Sequence, residues 1–352
     1  MLVAGCDRGS VRAPKSAATN GADRVLVVVN KRSTSSEVVG RYYMQRRGIR
    51  QSHLVVVDVP VNDDIGPLDF RAKILAPVRA AIDSLPVRID FIALTTGIPL
   101  RIGNGGYSVD AHLAGMRLLI PPMVGFDSAW LSTHRNPFFG SREKFASDRF
   151  NMYLVTRLDC AHVAECLALV DNCLAARASK GPFFFDATAP QIADAGFRAQ
   201  NAGMLAAAAH LQRGGATVLL DTSKRFVAAN VPVMGYVSWG SNDSQFDSSA
   251  YHALRFLPGA LAETFVSTSG RTFGPTVGGQ SRIVDLIGQG VSGVKGYVSE
   301  PYTIALAHPD ILFDRYLRGF TLAESFYAAS RMVLWKDIVV GDPLCAPYAT
   351  TP

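Results

Sequence analysis

The sequence predicts an α/β protein with three layers, in which helices cover both faces of a mostly parallel sheet. Two observations predict this class. Short runs of β-branched and other apolar residues alternate with segments whose apolar residues recur at helical spacing. The short runs are apolar at nearly every position, which is the pattern of parallel strands buried on both faces. The composition fits a folded globular chain, because 48% of the 352 residues are hydrophobic and 18% are charged.

In the first half of the chain, the predicted elements alternate between strand and helix. Residues 24–29 form a strand, and a capping box at Thr34 begins a helix that continues through Arg47 and ends at Gly48. The next elements are a strand at residues 54–57, a helix at residues 68–85 that Pro77 interrupts, and a strand at residues 90–94. The following segment, up to residue 150, is rich in Gly, Pro and aromatic residues and has no sustained period. We expect an excursion from the sheet there.

The second half continues the same alternation. Asp159 is an expected helix N-cap, apolar residues then recur at helical spacing, and Gly181 marks the stop. A second capping box at Thr321 begins a helix that extends to about Trp335. The predicted strands are residues 152–156, 183–185, 216–220, 231–237, 260–266, 294–298 and 338–340.

The chain divides naturally near residue 150. We expect residues 1–23 to be a leader and flexible tether, residues 24–150 to form an N-terminal α/β subdomain, and residues 151–348 to form a second α/β subdomain. No repeat of fixed period is visible.

The positive charge of the chain lies at its N-terminus. The formal net charge is +6 at pH 7, but residues 1–50 hold ten of the 35 Lys and Arg residues and only three of the 29 Asp and Glu residues. The rest of the chain is close to neutral. Because the sequence has no basic stripe with interleaved aromatic residues, we expect no nucleic-acid partner. A basic N-terminal segment suits a position near anionic lipid headgroups.

The first seven residues resemble the end of a bacterial lipoprotein signal peptide, whose cysteine is lipidated and becomes the new N-terminus. In this chain that cysteine is Cys6. The charged and apolar parts of a complete signal peptide are missing, so this resemblance implies a truncated start. The alternative is an ordinary N-terminus with an incidental cysteine. Under the first interpretation the protein is exported to the cell envelope and contacts a membrane only through a lipid on Cys6.

Three of the five cysteines, Cys160, Cys166 and Cys173, lie close together but show no metal-binding spacing. On the predicted helix, Cys166 and Cys173 would be roughly 10.5 Å apart along the axis, which is too far for a disulfide between them. We therefore predict that these cysteines are small core residues. Cys345 also belongs to no visible pairing pattern.

Polar residues follow most of the predicted strands. In open α/β sheets, ligands bind beyond the carboxyl ends of the strands, so these residues are candidates for a common site. Each of them alone has an ordinary alternative as a cap of the next helix. Together they predict at least one functional cleft. The candidates are Asn30, Arg157, Asp159, Asp186, Trp239, Asn242, Asp243, Ser267, Ser269, Arg271 and Glu300.

The second half resembles the gingipain-like cysteine peptidases, which have the caspase-type fold. In that family one strand ends in Gly-His-Gly-Ser, which carries the catalytic histidine, and a following strand ends in the nucleophilic cysteine. Trp239 occupies the histidine position in this chain, and Ser267 occupies the cysteine position. The resemblance therefore implies a peptidase scaffold that has lost its dyad. The matching segments are residues 235–241, 267–270, 290–297 and 321–343.

From about residue 24, the chain also resembles an uncharacterised bacterial family of predicted exported proteins. This resemblance covers most of the chain, implies export and supplies no established reaction. The matching stretches are residues 25–30, 42–43, 97–101, 108–111, 157–159, 238–243, 263–271, 300–302 and 341–343.

Our first hypothesis is a cell-envelope protein that binds a peptide or glycan at the strand tips, with the indole of Trp239 stacking on the ligand. The residues predicted to bind the ligand are Asn30, Asp110, Arg157, Asp159, Asp186, Trp239, Asn242, Ser269, Arg271 and Glu300.

The second hypothesis is a hydrolase acting at the same strand tips. In a serine-dependent form, Ser267 is the nucleophile, His252 the base and Asp243 the carboxylate that orients it, with His112 as a second candidate base. In a metal-assisted form, an oxygen-rich site holds Ca²⁺ or Mg²⁺. That site would draw on Asp110, Asp159, Asp186, Asp243 and Glu300. Because the sequence has no nucleotide-binding or metal-binding motif, we predict no cofactor and no metal.

Overall fold

A ten-stranded, mostly parallel sheet forms the centre of the computed structural model, which describes residues 21–103, 106–118, 133–187 and 195–350. Its strands are β1 (Val25–Asn30), β2 (Leu54–Val57), β4 (Phe91–Thr95), β7 (Leu154–Leu158), β8 (Phe183–Asp186), β9 (Val218–Asp221), β10 (Val233–Ser238), β11 (Phe256–Thr264), β12 (Gly293–Tyr297) and β13 (Asp337–Gly341). Their order is β2-β1-β4-β7-β13-β12-β11-β10-β8-β9. A small second sheet contains β3 (Asp64–Ile65), β5 (Arg101–Ile102) and β6 (Tyr107–Ser108).

Helices flank the large sheet. They are α1 (Thr34–Arg47), α2 (Pro67–Phe70), α3 (Ala76–Ser84), α4 (Val109–Ala114), α5 (Ser147–Phe150), α6 (Val163–Ala175), α7 (Ala195–Arg213), α8 (Ser248–Ala253), α9 (Ile283–Gly288), α10 (Pro309–Leu317) and α11 (Leu322–Ala329).

The burial of β10 shows that both faces of the sheet are covered. Tyr236 packs in a core that contains Tyr251 of α8, whereas its neighbour Val237 packs in a second core that contains Phe313 of α10. Successive side chains of a strand point to opposite faces. The structure therefore has the three-layer architecture that the apolar runs predict.

Most predicted elements are present, but some bounds differ. Pro77 does not interrupt its helix, because a π-helical turn at Arg71–Leu75 joins α2 to α3 without a break. The proline lies in the first turn of α3. The helix that follows the Thr321 cap ends at Ala329, before the predicted Trp335. The expected excursion contains the short elements β6, α4 and α5 within the residues that the structure describes.

The loops that follow strands of both halves meet at one edge of the sheet. The Arg101 guanidinium, after β4, donates to the backbone oxygen of Arg271, after β11. The Ser299 hydroxyl, after β12, donates to the backbone oxygen of Gly106 at 2.7 Å. The predicted strand-tip residues of the two halves therefore face a common edge. Strand β13 pairs antiparallel with β12 and lies between it and β7.

Cys160 and Cys166 are buried core residues, as predicted, but they also form a disulfide with each other, which the helical spacing does not indicate. Cys160 lies in the turn before α6 and not on the helix, and the Cα atoms are therefore only 5.6 Å apart. Cys173 and Cys345 are free and buried, in agreement with the prediction for Cys173. Cys6 lies outside the described residues.

None of the helices in the described ranges has the length and apolar character needed to cross a membrane.

Candidate functional site

A cavity of about 230 Å³ lies at the carboxyl ends of β10, β11 and β12. Three of the predicted strand-tip residues line it: Asn242, Ser267 and Glu300. The wall also contains Phe197 of α7, Phe265, Pro301, Tyr302, Thr303 and Leu306. The cavity combines apolar side chains with a few polar groups, which is the usual composition of a small ligand site.

A hydrogen-bond network fixes the loop that carries Ser267. The Asn242 amide donates to the backbone oxygen of Phe265 at 2.6 Å, and Asn242 in turn accepts from the Gln280 amide at 2.9 Å. The oxygen of Gln280 accepts from the backbone N–H and the hydroxyl of Thr268, at 3.0 and 2.7 Å. Residues on both sides of Ser267 are therefore held, which fixes the backbone that places Ser267 on the cavity wall.

Trp239 lies at the end of β10, as predicted, but its side chain does not line the cavity. The indole is only 2% exposed and packs edge to face against Phe197 and Phe265, with ring centroids 4.9 and 5.1 Å away. Its N–H points to the side-chain oxygen of Asn201 at 3.5 Å. The expected stacking of this indole on a ligand therefore does not fit the structure, because α7 covers the ring.

The predicted serine triad is not assembled. The Nδ1 atom of His252 lies 2.7 Å from the backbone oxygen of Ser248, and its Nε2 atom lies 3.8 Å from the Asp285 carboxylate. Asp243 accepts a hydrogen bond from the backbone N–H of Gln245, and its other carboxylate oxygen has no partner among the described residues. Burial raises the pKa of Asp243.

Strand β11 separates the expected base from the expected nucleophile. Its first residue pairs with Val233 and its last with Ser238, which are five residue steps apart on β10. That separation is roughly 16 Å at about 3.3 Å per step. His252 comes before this strand and Ser267 comes after it. The alternative base His112 lies in the first half, where its Nδ1–H donates to the backbone oxygen of Ser108 at 3.1 Å.

Arg157, on β7, is the fully buried centre of a cluster of ion pairs and hydrogen bonds, called here the Arg157 clamp. Its guanidinium pairs with the Asp110 carboxylate at 2.7 Å and with the Asp159 carboxylate at 3.3 Å. It also donates to the backbone oxygens of Ile98 and Pro99, at 2.9 and 2.6 Å. The hydrogen-bonding capacity of this side chain is therefore used within the protein, and its place at the end of β7 is structural.

Asn30 has a similar position at the end of β1. It is fully buried, and its amide donates to the backbone oxygens of Val59 and Gly97 at 3.0 and 2.8 Å. Its side-chain oxygen accepts from the backbone N–H groups of Arg32 and Val59. In this structure Asn30 joins the ends of β1, β2 and β4. It lines neither the cavity described above nor the second cavity described below.

A second cavity, of about 300 Å³, lies at the carboxyl ends of β1, β4 and β7. Of the predicted site residues only Asp159 lines it, and burial raises the pKa of this carboxyl to about 6 against the effect of Arg157. Sequence reasoning missed Ser33, Asp63 and Thr96 on the same wall. The chain leaves β1 towards β2 and returns to the other side as β4, and such switch points commonly bind ligands.

Three further predicted residues, Asp186, Ser269 and Arg271, do not line the first cavity. Asp186 is buried at the end of β8, opposite Ser238 in register. Ser269 is buried. Arg271 stabilises its own loop, because its guanidinium donates to the backbone oxygen of Gln280 at 2.8 Å. Within the described ranges, no group of three or more His, Cys, Asp or Glu residues is arranged to hold a metal ion.

Sequence reasoning also missed Tyr302, which lies on the cavity wall and is 49% exposed. Its backbone has φ 59° and ψ 157°, a region that non-glycine residues rarely adopt. Strained residues of this kind concentrate at functional sites.

No family model and no curated protein matches the chain. Two solved structures share its fold. One is a complex of the pro- and mature domains of RgpB of Porphyromonas gingivalis, with a TM-score of 0.51 and 12% identity over 92% of this chain and 79% of that chain. The other is described as a protease, with a TM-score of 0.52 and 13% identity over 94% of this chain and 80% of that chain. This protein therefore has the α/β fold of the gingipain-like peptidases, as its strand endings predict.

Proposed function

We propose that this protein binds a peptide at the cavity beside Ser267 without cleaving it. The environment of Ser267 carries the proposal. Its side chain lines the cavity, and none of the described residues forms a hydrogen bond with its hydroxyl. A serine hydroxyl becomes a useful nucleophile only when an adjacent base takes its proton. Ser267 can hydrogen-bond to a ligand, but no base among the described residues is hydrogen-bonded to its hydroxyl.

The position next to Ser267 on the adjacent strand supports the same proposal. Trp239 stands where the resemblance to the gingipain-like peptidases implies a histidine, and an indole N–H cannot accept a proton. The ring contributes to packing beneath the cavity, between Phe197 and Phe265. Both halves of the expected cysteine–histidine dyad are therefore replaced, while the strands that carried them remain.

The cavity suits an apolar side chain in an extended peptide. Phe197, Phe265 and Leu306 form an apolar wall of the cavity. The hydroxyl of Ser267 can donate or accept a hydrogen bond there, and the carboxylate of Glu300 can accept one. Apolar burial supplies affinity, and the polar rim would pair with backbone groups of the peptide.

We further propose that the protein is exported and anchored through Cys6. The disulfide between Cys160 and Cys166 supports this location, because disulfides persist in oxidising compartments and are rare in the cytosol. Mass spectrometry of the N-terminus from a membrane fraction tests the anchor. An unmodified Cys6 in protein recovered from the envelope would refute lipidation.

Binding of an array of short peptides tests the proposed ligand. We expect Ser267→Trp, which fills the cavity, to abolish binding, and Ser267→Ala to retain most of it, because the alanine variant loses one hydrogen bond. Unfolding curves for both variants establish that they are folded. A folded Ser267→Trp protein that binds the same peptides as the wild type would refute the site. If the wild type bound a glycan array and no peptide, the ligand would be a glycan and not a peptide.

The rival hypothesis of a serine hydrolase is favoured by one observation, the position of the Ser267 hydroxyl on a cavity wall. A fluorophosphonate probe separates the two functions. We expect no labelling. Labelling that Ser267→Ala removes would establish a nucleophile and overturn the non-catalytic function.

A further inference from the structure

A second polar cavity lies away from the strand tips, between the C-terminal part of α7 and α10. It has a volume of about 340 Å³. Four arginines, two aspartates and one histidine contribute to its wall, which is an excess of two positive charges with the histidine neutral. Its charged residues are Arg142, His210, Arg213, Asp310, Asp314, Arg315 and Arg318.

Asp314 neutralises one side of this cavity. Its carboxylate pairs with the guanidiniums of Arg315 and Arg318, the latter at 2.8 Å, and with His210 Nε2 at 3.2 Å. Burial raises the pKa of the Asp314 carboxyl, but its hydrogen bonds and the charges of the two arginines outweigh this effect, and the pKa is lowered. The Asp314 carboxylate therefore has three partners, Arg315 and Arg318 at the end of α10 and His210 on α7.

Arg315 also positions a further arginine from the first half of the chain. It is only 5% exposed, and its guanidinium donates to the backbone oxygens of Gly140 and Ser141 at 2.8 and 2.5 Å. This pair of hydrogen bonds fixes the turn that precedes Arg142 against α10. Arg142 is thereby held at the cavity by a buried group.

Two guanidiniums remain without a partner. The guanidinium groups of Arg142 and Arg213 form no hydrogen bond, ion pair or ring contact with any residue that the structure describes. Arg213 ends α7, and Arg142 comes from the turn that Arg315 holds. Two like charges that face one cavity repel each other unless an anion lies between them. A guanidinium presents donors in a planar fork that matches a phosphate oxygen pair.

We propose that this cavity binds a phosphate group, with Arg142 and Arg213 as the residues that contact it. The phosphate belongs either to a small soluble molecule or to a lipid headgroup. In both cases two guanidinium groups would bind the same compact anion through paired hydrogen bonds. This site is independent of the peptide site, because the two cavities share no residue.

Calorimetric titration with inorganic phosphate and pyrophosphate, at constant ionic strength, tests the proposal on the full chain. We expect saturable binding by the wild type and a loss of affinity of roughly ten-fold or more in R142A/R213A, since bonds to charged groups are among the stronger hydrogen bonds. The matched control is R41A/R50A, which removes two exposed arginines of the first half that have no ion pair in the described ranges. Equal losses in the two double variants, or no saturable binding, would overturn the proposal.

Flotation with neutral vesicles, with and without phosphatidic acid, identifies the source of the phosphate. Binding that requires phosphatidic acid, depends on Arg142 and Arg213, and is not displaced by free pyrophosphate would assign the site to a lipid headgroup. Displacement by pyrophosphate would assign it to a soluble phosphate. Vesicle binding that R142A/R213A leaves unchanged would exclude this cavity as the contact.

Discussion

The carboxyl of Glu263 on β11 accepts a hydrogen bond of 2.6 Å from the hydroxyl of Tyr297 on β12, in the buried centre of the sheet. Its second oxygen has no partner among the described residues. Lys295, whose charge acts on Glu263, donates to the backbone oxygen of Ala305 at 2.8 Å and pairs with Asp337 at 3.2 Å. Burial raises the pKa of Glu263 to about 7, against the lowering effect of Lys295.

This shift makes the stability of the protein depend on pH. The folded pKa lies above the ordinary value of 4.5, so the folded state holds the proton more tightly than the unfolded chain. The contribution is fully present below about pH 4.5 and is lost as the pH rises through about 7. We expect Glu263→Gln to remove this loss and to be more stable than the wild type at pH 8 by up to about 3 kcal/mol.

Urea unfolding at pH 5 and pH 8 measures the effect. The matched control is Glu300→Gln, which changes an exposed glutamate and should follow the wild type at both values. If Glu263→Gln shows the same difference between the two pH values as the wild type, Glu263 is not the group responsible.

The Arg157 clamp predicts a large loss of stability on mutation. Arg157→Met leaves the buried carboxylates of Asp110 and Asp159 without their cationic partner, and we expect a loss of about 3–5 kcal/mol in the free energy of unfolding. Arg157→Lys keeps the charge but cannot reach both carboxylates and the backbone oxygens of Ile98 and Pro99, so it should also be destabilised. Arg142→Met removes an exposed arginine and should change stability little. A loss below 1 kcal/mol for Arg157→Met would contradict the clamp.

The pairing of the cysteines predicts a thiol count. Of the five cysteines, two form the disulfide, so the denatured chain with an unmodified Cys6 should have three reactive thiols before reduction and five after it. The double variant Cys160→Ser with Cys166→Ser should lose about 2 kcal/mol of stability, because the bond closes a short loop. Titration with a thiol reagent in denaturant measures the count. Five thiols before reduction would show that the bond does not form.

The strands and their endings could be predicted from the sequence because they depend on local patterns. Apolar runs mark β11 and β12, and because these two strands are parallel the residues after them reach the same edge of the sheet. Ser267 and Glu300, which follow them, line one cavity. The side-chain partners could not be predicted in this way. The sequence places Trp239 at the end of a strand, but only the position of α7 over it explains why the indole is buried.

The same limit applies to the residues that were missed. Tyr302 and Phe197 come from distant parts of the chain, and only tertiary packing brings them to the wall of one cavity. Helical spacing predicts a common helix for Cys160 and Cys166, but Cys160 lies in the turn before that helix, where it reaches Cys166. Arg157 has the expected position at a strand tip, but its contacts are internal, because nothing in the sequence shows how many acceptors surround a guanidinium.

Tyr302 allows strain and binding to be separated by experiment. Its positive φ of 59° is unfavourable for any residue with a Cβ atom, whereas glycine adopts it readily. Tyr302→Gly and Tyr302→Ala both remove the ring from the cavity wall and from its stacked contact with Trp335, where the centroids are 6.4 Å apart. We therefore expect both variants to lose peptide binding equally, and the glycine variant to be more stable than the alanine variant by about 1 kcal/mol or more.

Urea unfolding and peptide titration on the same two proteins check this prediction. If both variants lose binding equally but the alanine variant is less stable, the Tyr302 ring contacts the ligand, and the strained backbone serves only to hold the ring in the cavity wall. Were the alanine variant as stable as the glycine variant, the backbone at residue 302 would carry no strain, and the unusual conformation would not bear on function. Were both variants to bind peptide as the wild type does, Tyr302 would lie outside the ligand contact, and the apolar wall of Phe197, Phe265 and Leu306 would have to hold the peptide alone.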